Sequence, residues 1–94
     1  MAGNARYVKA YIDVDVHFTA DGLMLPRMIE WEDGHRYEID RVKMITPAPA
    51  LKAGGMGDRY TVVVGGKERY LFFEHNAFEG DSKQGRWFVE KRVE

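Results

Sequence analysis

Residues 7–19 read YVKAYIDVDVHFT and run directly into Ala20-Asp21-Gly22. Val8, Ala10, Ile12, Val14, Val16 and Phe18 occupy one phase; Lys9, Tyr11, Asp13, Asp15 and His17 occupy the other. Side chains of a strand point alternately to its two faces, so this period of two specifies a half-buried β-strand rather than a helix. Asp-Gly between alternating segments is a hairpin signal, because both residues tolerate the backbone conformations a tight turn requires. A two-residue loop pairs Phe18 with Leu25, Val14 with Ile29 and Ile12 with Trp31, all apolar. It also sets Arg27 opposite Val16 on the apolar face and puts Pro26, which has no amide hydrogen, into the ladder. A bulge or break near Pro26 resolves both conflicts.

Asp33-Gly34 marks a second turn, between Met28–Glu32 and His35–Thr46. A three-residue loop with Gly34 in the left-handed region faces Ile29 with Tyr37 and Trp31 with His35, keeping the apolar set together. Within 35–46 the phase slips near Asp40-Arg41: Tyr37 and Ile39 lie in one phase, Val42 and Met44 in the other. Such a slip is the mark of a bulged or sharply bent strand, the device that curls small sheets into barrels. Residues 46–57, TPAPALKAGGMG, hold two prolines and three glycines without either period and read as a long flexible surface loop. Arg59–Val64 and Glu68–Glu74 form a hairpin about Gly65-Gly66-Lys67. After the polar stretch 75–85, Arg86–Val93 is the last strand.

Six strands and no amphipathic helix give an all-β chain. One flat sheet of this size leaves a face and two edges uncovered; closure removes both problems. The expected fold is a single domain over 1–94, a small antiparallel SH3-like barrel, with an OB-like barrel as the alternative. Its expected core is Ile12, Val14, Phe18, Ile29, Trp31, Tyr37, Ile39, Tyr60, Val62, Leu71, Phe73, Trp87 and Val89.

The whole chain has 94 residues, 14 basic against 15 acidic side chains and no cysteine. The missing thiols exclude disulfides, thiolate zinc sites and thiol catalysis. The net charge of −1 offers no basic footprint for nucleic acid, and neither half restores one: residues 1–50 carry six bases and eight acids, residues 51–94 eight and seven. No run approaches the roughly 20 apolar residues of a membrane span, and the first residues do not resemble a signal peptide, so a cytoplasmic protein is expected.

Pro26-x-x-Ile29-x-Trp31, Asp33-Gly34-x-x-Tyr37-x-Ile39-x-x-Val42, Tyr60-x-Val62 and Gly85-Arg86-Trp87-Phe88-Val89 together resemble a pattern in short bacterial proteins of unknown function, some encoded beside translesion-polymerase genes. The likeness covers residues 26–92, with Tyr7–Phe18 an additional strand. It implies a bacterial origin and a small barrel, and supplies no catalytic residue.

Asp13, Asp15 and His17 share one strand face about 7 Å apart in succession. They are legitimate metal ligands, yet they splay, and a solvated face is the simpler reading. His35 and His75 lie near turns. The runs Gly54-Gly55-Met56-Gly57 and Gly65-Gly66 have no helix behind them to cradle phosphate. Ser82, the sole serine, has no elbow motif. The reading is therefore no enzyme, no cofactor and no metal.

The informative feature is hydrophobicity on both faces of the C-terminal strands. Leu71 and Phe73 take one phase and Tyr70 and Phe72 the other; Trp87 and Val89 against Phe88 repeat the theme. A barrel has one inside, so Tyr70, Phe72 and Phe88 need cover from the long loop, the N-terminal strand or a partner. Lys67, Arg69, Arg86, Lys91 and Arg92 bracket those rings. The candidate binding surface is Tyr70, Phe72, Phe88, Lys67, Arg69 and Arg86. The expected function is a non-catalytic binding or adaptor module, contacting a protein or a second copy of itself through this face or the 46–57 loop. The alternative is a nucleic-acid-binding accessory protein, since bases stack on rings while phosphates meet cations.

Overall fold

Each alternating run is a strand in the computed structural model, which describes residues 6–47, 57–75 and 85–93. The strands are β1 (Arg6–Phe18), β2 (Met24–Glu30), β3 (Arg36–Glu38), β4 (Arg41–Pro47), β5 (Gly57–Val64), β6 (Lys67–His75) and β7 (Gly85–Val93). Neighbours are antiparallel throughout, in the order β3-β2-β1-β7-β6-β5-β4. The two strands at the ends of that order are consecutive in the chain, separated only by Ile39-Asp40. Ile39 N–H donates to the Arg27 carbonyl on β2 (2.9 Å), and Asp40 N–H to the Val63 carbonyl on β5 (2.7 Å). One bent strand thus serves both ends of the sheet, which curls into a small antiparallel barrel. Seven strands replace the expected six because the phase slip at Asp40-Arg41 is a corner: there the chain leaves β2 for β5, and the irregular backbone at the bend shifts the inward phase from Ile39 to Val42.

The first hairpin departs from its expected register. Thr19 and Leu23 close a three-residue loop in which Gly22, at φ 96°, takes the left-handed position. Gly34 does the same at φ 89° between Trp31 and His35, so the two Asp-Gly turns share one geometry. A longer first loop shifts the pairing: Phe18 meets Met24, not Leu25. Val14 opposes Ile29 as expected, whereas Ile12 pairs with Trp87 on β7 rather than with Trp31. The register steps from Asp15↔Met28 to Val16↔Pro26, which makes Arg27 the bulged residue and turns its side chain to solvent. Its carbonyl, released from the ladder, is the acceptor for Ile39. The β2–β3 register is as expected, with Ile29 opposite Tyr37.

The β5–β6 turn is Gly65-Gly66 alone, with Lys67 already in the strand opposite Val64. The 46–57 loop is shorter than expected at both ends: Thr46 and Pro47 pair with Arg59 and Asp58, and Gly57 with Glu74. Residues 48–56, on which the flexible-loop expectation rests, lie outside the described residues.

Ile12, Ile29, Ile39, Tyr60, Val62, Leu71, Phe73 and Trp87 form the buried cluster, flanked by Val14, Met24, Trp31, Val42, Val64 and Val89. Phe18 and Tyr37 were expected in this core and are exposed, at 65% and 44%. Phe18 sits at the tip of the first hairpin and Tyr37 on the short end strand β3, where the curled sheet supplies too little opposing surface. Among the described residues no helix is long and apolar enough to cross a membrane.

Candidate functional site

The second aromatic set lies on the outer face, where Phe88 is buried, Phe72 half-buried and Tyr70 exposed. Register places Phe72 opposite Phe88 on β6–β7, and Tyr11 opposite Phe88 on β1–β7. Phe72 and Phe88 stack with centroids 5.0 Å apart and planes 7° from parallel; Tyr11 meets Phe88 edge-on at 5.8 Å. Lys9 Nζ lies 4.7 Å above the Phe88 ring and the Arg86 guanidinium 3.9 Å above Tyr11. Phe88 is consequently 6% exposed. Glu74 ties the cluster together: its Oε1 accepts from the Tyr11 hydroxyl (2.8 Å) and from Lys9 Nζ (3.4 Å), and Arg86 lies 3.9 Å from Oε2. Burial raises the Tyr11 pKa, and the hydrogen bond to Glu74 raises it further. Burial also pushes Glu74 up, but the Tyr11 hydrogen bond and the Lys9 and Arg86 charges together outweigh it and hold the carboxyl below its ordinary value. The N-terminal strand therefore covers Phe88, and Phe72 is half-buried through its stacking on that ring. Tyr70 remains 52% exposed, with the Arg59 guanidinium 4.6 Å from its ring.

Lys67 and Arg69 do not join this face. On β6 they share the phase of Leu71 and Phe73, whose side chains are in the core. The six residues expected to form one surface are thus divided: Tyr70, Phe72, Phe88 and Arg86 outside, Lys67 and Arg69 on the inner phase at the far end of β6.

That end opens a cleft. Pairing of β6 with β7 runs from His75↔Gly85 to Phe72↔Phe88 and stops, although β6 continues back to Lys67 and β7 on to Val93. A cavity of about 820 Å³ occupies the seam, within the roughly 300–1,000 Å³ of small-ligand pockets. Ile29, Trp31, Val62, Val64 and Val89 form its apolar floor, and Tyr7 and Tyr37 flank it. Lys67 through Phe72 all line it. Six successive residues of one strand present both phases to the same cavity only if the strand's edge, not a face, forms the wall.

No family model matches this chain, and no curated protein or solved structure does either. The site has to be judged from its own chemistry. Asp15, one of three candidate ligands on β1, accepts from Arg36 on β3 at 2.9 Å. His35 contacts Asp33 (2.9 Å), and His75 contacts Asp58 (3.1 Å). Among the described residues no three such groups converge on a common point. The cleft walls are rings and aliphatic groups, with charged ends from Lys67, Arg69, Glu68 and Glu90; Glu68 is also bonded to Lys43. Such a surface can hold apolar side chains and select the charge beside them. Reading the sequence by faces missed Trp31, Tyr37, Tyr7 and Glu90 as members of one site. The available signal was the ring cluster at the Asp33-Gly34 turn, together with two-sided hydrophobicity on β6.

Proposed function

We propose that this chain is a non-catalytic protein-binding module whose recognition site is the cleft between β6 and β7. The observation that carries the reading is the termination of β6–β7 pairing over an apolar cavity, in a chain whose outer ring Phe88 is already covered by β1. An open apolar recess lined by Trp31, Tyr37 and Val64 suits aromatic anchors from a partner, which are prominent among the groups that dominate binding energy at protein interfaces. Its charged rim, two bases and two acids, suits a peptide better than a polyanion. The second reading, single-stranded nucleic acid, draws on Lys67 and Arg69 beside Tyr70 and Tyr37. A bacterial setting, which the sequence resemblance implies, and a cytoplasmic one, expected from the character of the first residues and the apolar runs, belong to the same proposal.

Panning a random-peptide library against the wild type and against Trp31→Ala tests it. Peptides enriched on the wild type should lose affinity at least tenfold for Trp31→Ala. Anisotropy with a labelled single-stranded oligonucleotide at low and physiological salt is the companion measurement. Binding there that weakens steeply with salt, with no peptide enriched, replaces the proposal with the second reading.

A further inference from the structure

The backbone around the cleft limits what can fill it. In a two-residue hairpin the flanking pair, here Val64↔Lys67, exchanges both hydrogen bonds, and bonding alternates from there along the strand. Lys67, Arg69, Leu71 and Phe73 therefore direct their amides to β5, and Glu68, Tyr70, Phe72 and Glu74 direct theirs away from it, toward β7. Phe72 and Glu74 find partners in Phe88 and Arg86. Glu68 and Tyr70 continue the same row past the point where pairing stops, and among the described residues neither has a strand partner on that side. On β7 the row of Arg86 and Phe88 continues to Glu90 and Arg92, which also have no strand partner on the β6 side among the described residues. Two unsatisfied backbone rows thus face each other across the cavity.

We propose that the cleft is a strand-addition site: it takes an extended peptide segment that hydrogen-bonds to Glu68 and Tyr70 on β6 and places alternate side chains on the apolar floor. Peptide backbone is the chemistry that repeats donors and acceptors at the strand spacing, so it alone completes such a row over several residues. The open stretch Lys67–Leu71 measures roughly 16 Å at about 3.3 Å per residue, room for five or so residues of partner. Period two then divides the segment. Residues facing inward meet Val62, Val64, Val89 and Trp31 and must be apolar. An inward residue at the Gly65 end meets Lys67 and Arg69, which have no ion-pair partner among the described residues, and should be acidic. The occupant is therefore a short extended segment with apolar residues at every second position and a carboxylate in the same phase.

This inference rests on the protein-binding reading, and the experiment separates the two. With a peptide selected by the panning above, amide hydrogen exchange of the uniformly labelled protein is followed with and without it. Protection should appear at the Glu68 and Tyr70 amides, while those of Arg69 and Leu71, already bonded to β5, change little. Single N-methylation along the peptide should weaken binding tenfold or more at alternate positions only. The charge-reversed variant Lys67→Glu/Arg69→Glu, changed at exposed positions, should weaken an acidic selected peptide by about tenfold. A peptide that binds in the cleft without protecting Glu68 and Tyr70, and that tolerates N-methylation everywhere, overturns the strand-addition inference and leaves the binding module standing. Cross-strand contacts between Tyr70 and Glu90 in the free protein also overturn it, since the seam would then be zipped. A library that yields no binder removes both.

Discussion

Glu74 shows what one residue can do on the outer face. Its carboxylate is shared by the Tyr11 hydroxyl and Lys9, with Arg86 close by, and these three groups come from β1 and β7 while Glu74 belongs to β6. The side chain is only 17% exposed, so a neutral replacement cannot recover the loss from water. Glu74→Gln should cost about 1.5–3 kcal/mol at neutral pH, the range for a hydrogen bond to a charged group. The folded carboxyl titrates below its ordinary value of 4.5, so the unfolded chain takes up its proton first. Its contribution is then complete above about pH 4.5 and is lost as pH falls through the lower folded value. Denaturant titrations of wild type and Glu74→Gln should diverge at pH 7 and converge in acid. A gap independent of pH would assign Glu74 a packing role instead.

At the scale of the element, the bulge and the corner are one device. Arg27 is the extra residue of β2, its freed carbonyl accepts the Ile39 amide, and one residue later Asp40 bonds to β5. Arg27 therefore acts through its backbone, with its side chain in solvent. Arg27→Ala should change stability by no more than about 0.5 kcal/mol. Deleting the residue should be severe, because a one-residue slip turns Met24, Leu25 and Pro26 to the opposite face and removes the acceptor for Ile39. Urea denaturation of the two variants checks this, and equal midpoints would show that the corner does not depend on the bulge. Both features were legible in the sequence, through Pro26 beside an arginine on the apolar phase and through the phase change at Asp40. The first loop was not. Asp21-Gly22 fits a two-residue turn and a three-residue turn equally well, and the choice falls to the packing of Met24, which the alternation of β1 does not report.

The described residues form a barrel with two apolar layers of unequal depth and an unzipped seam between β6 and β7. Alternation along β6 and β7 announced both layers, since Leu71 and Phe73 oppose Tyr70 and Phe72. It could not announce the seam, because residues 67–71 alternate in the same way whether or not a neighbouring strand bonds to them. Local pattern fixes which side a residue faces; sheet curvature, a property of all seven strands, decides where β6 and β7 part. Trp87 and Phe72 test the difference between the layers. Trp87 lies in the inner one, 4.9 Å from Phe73 and 5.0 Å from Tyr60 between ring centroids, on the strand that joins β1 to β6. Trp87→Ala should cost about 3–5 kcal/mol, a large part of the roughly 5–15 kcal/mol that holds a small domain folded. Phe72 lies in the outer layer and stacks on a ring that β1 already covers, so Phe72→Glu should lower the melting temperature by less and leave the mass in solution unchanged. Sedimentation and thermal melts of the two variants measure both quantities. A change of mass on Phe72→Glu would mean that a second copy, rather than β1, completes the cover of the outer layer.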